Sequence, residues 1–408
     1  VAVAEQLGQP CELVGYDVDP TAVAAARAAG VDARLADALS HDWGADRYDI
    51  VVGNPPFLSQ MAAATSRGGS SRHGGGPYAD AAAEFLALAA RLAHPDHGVI
   101  ALVLPQSILS SRDAGPVRAA VGAAAELVWS WWQPDQRMFD AAVNVCLLAF
   151  RRGPGRRTPH AAWAQVVTNP AGVPALDPGA LVIDGTLGDR AGVNANFRDE
   201  YYALVGAVSD AHDGPPLVTS GLIDPGVCHW GTRPVRFARQ QHAAPRVDVG
   251  LLPERFQAWA SRKLVPKVLV ANQTRVIEAV ADPAGEWLPG VPINTVTPHD
   301  TGLVWPVAAM LTSPVASVLA WQTAAGTGLS TRSVRIGPAL LAALPWPAGP
   351  LDAAVAALQS GEVIECGQHV CTAYGLPAGQ AAPLLTWWTK MCQTHLGGAG
   401  RRQPAGSD

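Results

Sequence analysis

Four consecutive residues, Asn54, Pro55, Pro56 and Phe57, follow an apolar run that ends at Gly53. The side-chain carbonyl of Asn54 and the backbone carbonyl of Pro55 can each accept one N–H, so together they can hold a planar amino group. Because the two proline rings fix φ, both acceptors are in place before a ligand arrives. The ring of Phe57 offers a face on which a flat group can stack. These residue types in this order indicate chemistry on an amino group.

Two acidic residues further upstream each follow a short predicted strand. Asp17 follows the first of these strands and Asp37 the second, just as Asn54 follows a third. Ligands of open α/β sheets bind at the carboxyl ends of the strands. A carboxylate at Asp17 can accept hydrogen bonds from the two hydroxyls of a ribose, and one at Asp37 can accept from an adenine amino group. Each Asp alone is more often a helix cap or loop residue, but the three positions in this order predict a nucleoside-containing ligand.

Residues 1–150 alternate between strand and helix patterns, which is typical of a doubly wound α/β sheet. Strands are predicted at 12–16, 33–36, 48–53, 99–104, 127–132 and 143–150. Helices are predicted at 20–29, 79–93 and 114–125, and 1–8 fits the end of another helix. The continuous Ile and Val of 48–53 predict a buried parallel strand. The last two strands follow each other closely, so the sheet is expected to end in an antiparallel pair.

The second half of the chain is less regular. An Arg-, Gly- and Pro-rich stretch at 151–159 predicts a linker, and 160–395 predicts a mixed, β-rich domain with C-terminal helices. These helices are predicted at 308–325, 351–360 and 384–395, with a disordered tail at 396–408. The Gly- and Ser-rich segment 65–76 follows the amino-group motif and is predicted to be a surface loop that can act as a lid.

The composition of the 408 residues is that of a globular protein, with 49% hydrophobic and 15% charged residues. Its apolar runs are short and interrupted, which predicts no membrane segment. The segment 1–6 is too short, and lacks charge at its start, to be a signal peptide. The six cysteines have neither CxxC nor metal-ligand spacing, which predicts reduced thiols in a cytoplasmic protein and no metal site.

The run 11–57 resembles the cofactor and catalytic region of the adenine-N6 DNA methyltransferases of restriction-modification systems. That resemblance implies a class I methyltransferase sheet and S-adenosylmethionine as cofactor. It assigns Asp17 to the ribose, and Asp37 with Ala38 to the adenine of the cofactor. Asn54 would border the cofactor and, with the two prolines and the phenylalanine after it, carry catalysis.

The same resemblance implies that the target adenine is flipped out of the DNA duplex, because it cannot be reached inside the stack. Phe57 would stack on one face of this base. The segment 138–145 resembles the part of the family that packs against the other face, which assigns that contact to Phe139. Weaker resemblances to the family occur at 98–105, 196–202 and 340–347.

The family's glycine-rich turn, of the Asp-Pro-x-x-Gly-x-Gly kind, is absent from the 408 residues. In this fold only glycine lets the backbone approach the methionine part of the cofactor. We therefore expect a methyltransferase domain truncated at its N-terminus, without the strand between those at 12–16 and 48–53. The gap would measure about 9–10 Å, and a chain truncated in this way should fold poorly and bind cofactor weakly.

Charge is unevenly spread along the chain. Residues 1–150 hold 9 Lys and Arg against 16 Asp and Glu, whereas residues 151–408 hold 20 against 18. Phosphate contacts need local positive charge, so a DNA-binding face fits the second part better. The predicted DNA contacts are Arg233, Arg236, Arg239, Gln240, Arg332 and Arg335. Arginine suits bidentate contact with guanine or phosphate, although solvated surface arginines account for the same count.

The leading interpretation is a site-specific adenine-N6 DNA methyltransferase with a C-terminal target-recognition domain, acting on double-stranded DNA with a restriction endonuclease as a potential partner. Enzymes that methylate glutamine in release factors, or guanine amino groups in RNA, use the same Asn-Pro-Pro-aromatic device. A third alternative is a degenerate, non-catalytic remnant that keeps only DNA binding. The long region after residue 150 favours a DNA reader over the glutamine and RNA enzymes. The intact motif 54–57 with Asp17 and Asp37 argues against a remnant, whereas the missing glycine-rich turn argues for one.

Overall fold

The computed structural model describes residues 8, 11–56, 73–76, 80–132, 144–196, 198–328 and 333–396. The chain divides into two compact units, Val1–Trp131 with Val145–His160, and Trp132–Asn144 with Ala161–Asp408. Several predicted features lie outside the described residues: Phe57, Phe139, Arg332, most of the 65–76 loop and the tail beyond Leu396.

The first unit alternates strands and helices, as predicted. Its strands are β1 (Val14–Asp17), β2 (Asp32–Leu35), β3 (Ile50–Gly53), β4 (Val99–Pro105), β5 (Ala125–Trp131) and β6 (Val145–Arg152). Its helices are α1 (Pro20–Ala28), α2 (Ala81–Leu92) and α3 (Gly115–Ala124). Asp19 caps α1 by accepting from the N–H of Thr21, and Pro20 fits the first helical position, which needs no N–H.

These strands are divided between two sheets. One has the order β3-β4-β6-β5, with β3 parallel to β4 and the other pairs antiparallel. The predicted antiparallel end of the sheet is thereby confirmed. The other sheet is the parallel pair β1-β2. In the described part of the chain, β1 and β3 are not hydrogen-bonded to each other. This is what a missing strand between them would produce, while the truncation itself stays a prediction.

Strand β3 differs from its prediction. The sequence predicts a buried strand at 48–53, but Ile50 is 39% exposed and Val52 is 55% exposed. The reason is that β3 pairs with β4 alone among the described strands, so one of its edges has no neighbour. Val51, on the opposite face, packs against the apolar cluster around Trp43.

The segment predicted as a linker, 151–159, begins inside β6. Arg151 and Arg152 pair with Val99 and Ala125 in the two adjacent ladders. Thr158 is buried, and its hydroxyl donates to the carbonyl of Ala125 at 2.7 Å. Composition alone predicted flexibility here, whereas backbone pairing and this hydroxyl contact hold most of the segment against the first unit.

The second unit is built from many short strands followed by helices. Its strands are β7 (Ile183–Thr186), β8 (Ala191–Ala195), β9 (Val208–Ser209), β10 (Leu217–Val218), β11 (Ile223–Asp224), β12 (Val227–Cys228), β13 (Val235–Phe237), β14 (Gln240–His242), β15 (Arg246–Val247), β16 (Lys267–Ala271), β17 (Gln273–Thr274), β18 (Ala279–Asp282), β19 (Leu288–Pro289), β20 (Ile293–Pro298), β21 (Val334–Arg335) and β22 (Pro345–Pro347). Its helices are α4 (His160–Thr168), α5 (Arg198–Leu204), α6 (Glu254–Lys263), α7 (Val304–Leu311), α8 (Pro314–Ala324), α9 (Pro338–Ala342), α10 (Asp352–Gln359), α11 (Val363–Ala373) and α12 (Ala378–Leu396).

A four-stranded sheet, ordered β18-β16-β20-β8, is the largest sheet among the described strands of this unit. All of its pairs are antiparallel, and β16 is buried along its whole length. The remaining described strands form two-stranded pairs. This agrees with the predicted β-rich domain and its C-terminal helices.

The predicted helix at 308–325 is two helices, α7 and α8. Pro314 lacks an N–H and restricts the residue before it, so α7 ends at Leu311 and a new helix starts. Ser313 caps α8 by accepting from the N–H of Ala316 at 3.2 Å. The last helix begins at Ala378 instead of 384, and α11 was not predicted at all.

Within the described residues, no single helix is long and apolar enough to cross a membrane. One bent pair, Thr301–Leu311 with Pro314–Ala324, reaches that length and composition when the two are taken together.

Candidate functional site

Asp17 ends β1, and Asp37 follows the end of the neighbouring strand β2 by two residues. The parallel register places Asp17 opposite Leu35, and the N–H of Ala36 donates to the carbonyl of Asp17 at 3.0 Å. Asp37 therefore begins the loop that leaves the same sheet edge. The register of one strand pair thus places these two residues, 20 positions apart in the sequence, at the same edge of the sheet.

The carboxylate of Asp17 is exposed, and only one of its oxygens accepts a hydrogen bond from a described residue. Its Oδ1 accepts from the N–H of Asp19 at 2.8 Å, and no other hydrogen bond to this carboxylate occurs among the described residues. The Asp19 contact orients the carboxylate beside the start of α1. Oxygen lone pairs remain available there for a pair of hydroxyl donors.

The loop after β2 presents one acceptor next to one donor. Asp37 Oδ1 accepts from the N–H of Leu39 at 3.0 Å, and the carboxylate is exposed. The N–H of Ala38 has no acceptor in the part of the chain that the structure describes. A carboxylate beside a free N–H matches the amino donor and neighbouring ring-nitrogen acceptor of an adenine, so this loop fits an adenine ring.

A cluster of aromatic rings fixes the position of this loop. The ring of Trp43 lies 4.5 Å from that of Tyr16 and 5.0 Å from that of His41, measured between centroids. The indole N–H of Trp43 donates to the carbonyl of Ala38 at 2.9 Å. The sequence analysis missed Trp43, although a lone tryptophan within a polar loop that follows a site residue is a usable signal for such an anchor.

The same cluster also contacts β3. Leu88 and Leu92 of α2 form its buried part together with Trp43, and Val51 and Tyr48 pack against them. The two sheets of the first unit are thus linked through side chains at Trp43. This packing ties the strand that carries Asn54 to the loop that carries Asp37.

Asn54, Pro55 and Pro56 directly follow β3. Asn54 is exposed, Pro55 is buried and Pro56 is exposed. The Asn54 amide makes no hydrogen bond to any described residue, so its carbonyl is available as an acceptor. Burial of Pro55 holds the backbone from which Asn54 projects.

Gln106 is a buried polar residue that the sequence analysis did not single out. It follows β4, the strand next to β3, and is 3% exposed. Its Nε2 has no hydrogen-bond partner among the described residues. A buried donor without a partner at this sheet edge suits a ligand contact, because leaving such a group unpaired costs about 1–3 kcal/mol.

The described end of the Gly-rich segment, residues 73–76, is tied down close to the Asp37 loop. The carboxylate of Glu84 accepts from the N–H groups of His73 at 2.7 Å and Gly75 at 3.1 Å. The imidazole of His73 lies 3.2 Å from the carbonyl oxygen of Leu39. The C-terminal end of the predicted lid is therefore anchored, and its remainder stays a prediction.

Arg233, one of the predicted DNA contacts, is held within the protein. Its guanidinium donates to both carboxylate oxygens of Asp224, at 3.1 and 2.6 Å, and to the carbonyl of Gly221 at 3.1 Å. His229 contacts the same carboxylate at 2.9 Å. Burial raises the pKa of Asp224, but the hydrogen bonds and charge of Arg233 outweigh it and hold that pKa below the ordinary value.

Replacing Arg233 by alanine should lower the free energy of unfolding by about 1–3 kcal/mol, because it leaves the buried Asp224 carboxylate without its main partner. Chemical denaturation at pH 7 measures the effect. The Asp224 contribution is fully present above its unfolded pKa of about 4 and is lost as pH falls through the lower folded pKa. The loss caused by Arg233→Ala should therefore shrink in acid. A variant as stable as the parent at pH 7 would contradict a structural role.

The other predicted DNA contacts that the structure describes are exposed. Arg236, Arg239 and Gln240 belong to the hairpin formed by β13 and β14, and Arg335 lies on β21. Their side chains form no hydrogen bond or ion pair with other described residues. Among the described residues no cluster of His, Cys, Asp or Glu could hold a metal ion.

No protein-family model matches the chain, and no curated protein matches it either. Among solved structures, the Type IIL restriction-modification enzyme MmeI, determined in complex with DNA, matches with a TM-score of 0.53 at 11% identity, covering 90% of this chain and 60% of MmeI. The type IIG restriction endonuclease BpuSI matches with a TM-score of 0.35 at 10% identity, covering 88% of this chain and 55% of BpuSI.

The M protein of the type I restriction enzyme EcoKI matches at 20% identity and a TM-score of 0.31, covering 38% of this chain and 36% of its own. The chain spans about three fifths of the MmeI chain that it matches. Over 90% of its length, the chain is similar in fold to MmeI.

Proposed function

We infer that the protein is a DNA methyltransferase, which transfers a methyl group from S-adenosylmethionine to the N6 amino group of an adenine in a restriction-modification or related defence system. The observation that carries this proposal is the placement of Asp17, Asp37 and Asn54. Each follows a parallel strand at its carboxyl end, and each keeps free acceptor atoms.

The residues around Asp17 fit the nucleoside part of the cofactor. Asp17 would accept from the ribose hydroxyls, Asp37 from the adenine amino group, and the N–H of Ala38 would donate to the adjacent ring nitrogen. The bound cofactor supplies an electrophilic methyl group on a sulfonium. The aromatic cluster at Trp43 keeps the Asp37 loop in position beforehand, which limits the conformational entropy lost on binding.

Replacing Asp37 by alanine should weaken S-adenosylmethionine binding by about 10- to 150-fold, because one hydrogen bond to a charged acceptor is worth about 1.5–3 kcal/mol. Isothermal titration calorimetry measures the dissociation constant. Asp42 is an exposed aspartate close in sequence, and Asp42→Ala is the matched control, expected to bind as the parent does. Equal affinity of the Asp37 variant and the parent would remove Asp37 from the cofactor site.

Asn54 and Pro55 would act on the target amine. The lone pair of an adenine amino group is delocalised into the ring, which makes it a poor nucleophile. When the two carbonyl oxygens accept its N–H groups, they favour a tetrahedral nitrogen whose lone pair points away from them toward the methyl donor. Buried Pro55 holds both acceptors in place, so little reorganisation is needed during the reaction.

The base must leave the duplex to reach these acceptors. Phe57 and Phe139 remain the proposed stacking partners for the extruded adenine. Support for DNA as substrate comes from the fold shared with MmeI over 90% of this chain. Exposed arginines on the second unit supply positive charge for phosphate contacts.

The test is methylation of genomic DNA in a methylation-deficient host that expresses the full reading frame of the gene, read by single-molecule sequencing. We expect N6-methyladenine at one sequence motif, and none when Asn54→Ala is expressed to the same level. Unmodified adenine in both cultures, with the parent protein folded and bound to S-adenosylmethionine, would overturn DNA adenine as the substrate.

A further inference from the structure

The hairpin of β13 and β14 has an unusual turn. Its register pairs Val235 with His242, Arg236 with Gln241 and Phe237 with Gln240, which leaves a turn of two residues. Those two residues are Ala238, with φ of 47°, and Arg239, with φ of 68°. Tight hairpins of this kind favour Asn-Gly or Asp-Gly, because both turn positions need positive φ.

Arg239 occupies a turn position at which glycine would be less strained. A side chain in the left-handed region is disfavoured, and such strain is concentrated at binding and catalytic sites. The guanidinium of Arg239 is exposed at the tip of the hairpin. The chain thus keeps a long cationic side chain at a position where its backbone conformation opposes one.

The hairpin is rigidly supported from below. Phe237 is 4% exposed and packs in a cluster with Phe256 and Trp259 of α6. At the base, the carboxylate of Asp210 accepts from the N–H groups of Ala243 at 2.8 Å and Ala244 at 3.3 Å. A binding element built on such support keeps its side chains in a fixed geometry.

The stretch of sequence that contains the hairpin has basic residues but no acidic residue of its own. Residues 225–247 contain four arginines and two histidines but no Asp or Glu. Arg233 is bound to Asp224, and Arg246 lies over the ring of Trp230 at 4.6 Å while donating to the carbonyl of Gly214. Only Arg236 and Arg239, of these four, have no hydrogen-bond or ion-pair partner among the described residues.

The outer face of the hairpin places an arginine beside a glutamine. Arg236 and Gln241 are directly opposite in the ladder and both are exposed. Residues opposite each other in an antiparallel pair have Cβ atoms about 4.5–5.5 Å apart. Gln240 instead pairs with buried Phe237, so Gln241, which the sequence analysis did not select, is the glutamine beside Arg236.

We propose that this hairpin enters the major groove of double-stranded DNA and reads base edges there, an assignment that rests on the proposed function. The major groove admits a two-stranded β-ribbon, and arginine pairs with guanine while glutamine pairs with adenine. Arg236 and Arg239 each read a guanine, and Gln241 reads an adenine next to the guanine read by Arg236. The hairpin is thereby the specificity-determining element of the second unit.

The test is selection of bound duplexes from a random-sequence library by the full chain, followed by sequencing. Arg236→Lys keeps the charge but loses the bidentate fork, so it should lose the preference for one guanine. Arg239→Gly should lose the preference for a second guanine, and Gln241→Ala should lose the preference for an adjacent adenine. In each variant the preference for that base over the others should fall at least fivefold. Arg262→Ala, which removes an exposed arginine from α6, should select the parent's motif.

Folding of each variant is checked by its denaturation midpoint, and Arg239→Gly should be at least as stable as the parent because it relieves the turn. If the parent selects a motif that all three hairpin variants also select, base reading by the hairpin is wrong while the proposed function stands. Variants that bind every sequence more weakly, with a salt slope reduced by about one per arginine, would make these residues phosphate contacts and overturn base reading. A folded parent that neither binds duplex DNA nor methylates it would overturn both proposals.

Discussion

Replacing Asn54 by alanine should lower the rate of methyl transfer to DNA by about 10²–10³-fold, the usual loss when one preorganised hydrogen-bonding group is removed from a reaction site. The variant keeps Pro55 and the strand that carries it, so the fold is retained. Asn54 is exposed and makes no hydrogen bond to described residues. The denaturation midpoint of the Asn54→Ala variant should therefore equal that of the parent. Single-turnover transfer of radiolabelled methyl from S-adenosylmethionine to duplex DNA measures the rate.

Two further variants sharpen this experiment. Asn54→Asp retains an oxygen acceptor at the same position and should keep more activity than Asn54→Ala. Asn169→Ala removes another exposed asparagine, in the second unit, and should react at the parent's rate. If Asn54→Ala transferred methyl at half the parent's rate or faster, the amide would not hold the target amine.

The largest loss of stability should come from breaking the buried ion pair of the second unit. Lys267 on β16 lies opposite Asp282 on β18, with Nζ 2.5 Å from Oδ2, and the two side chains are 0% and 3% exposed. The Asp282 carboxylate also accepts from the N–H groups of Glu286 and Trp287, both at 3.0 Å. Burial lowers the pKa of Lys267, and Asp282 opposes that shift.

Lys267→Met should therefore lower the free energy of unfolding by about 3–5 kcal/mol, because it leaves an unpaired carboxylate in the core. Guanidinium denaturation followed by tryptophan fluorescence measures the change. The double variant with Asp282→Asn removes both charges and retains an oxygen for one of the two backbone N–H groups, so it should be more stable than Lys267→Met. A single variant that unfolds at the parent's midpoint would show that the pair contributes nothing to stability.

Local sequence patterns were enough to predict the α/β class of the first unit. Asp19 with Pro20 marks the start of α1, and the alternation of strand and helix patterns predicted the unit's α/β class. The positions of Asp17, Asp37 and Asn54 after strands were also predicted, since strand ends are encoded in short segments. The predicted roles of these three residues stay predictions until they are tested by substitution.

Tertiary contacts decided what short segments cannot encode. The apolar sequence of β3 predicted burial, but the strand has β4 as its one described neighbour, so Val52 is exposed. Composition predicted a linker from 151, yet strand pairing extends β6 to Arg152. Both the exposure of β3 and the length of β6 depend on which strands from distant parts of the sequence pair with them. A local sequence pattern does not contain that information.

The arginines of the second unit show most clearly what the sequence determines and what the tertiary structure decides. The sequence by itself determined a stretch, 225–247, with four arginines and no acidic residue, but it gave Arg233 and Arg236 equal standing. Only the tertiary structure separates them, because Asp224 binds Arg233 while the hairpin register leaves Arg236 exposed beside Gln241. Charge is a property of composition, whereas the availability of a charged group depends on the partners that folding brings to it.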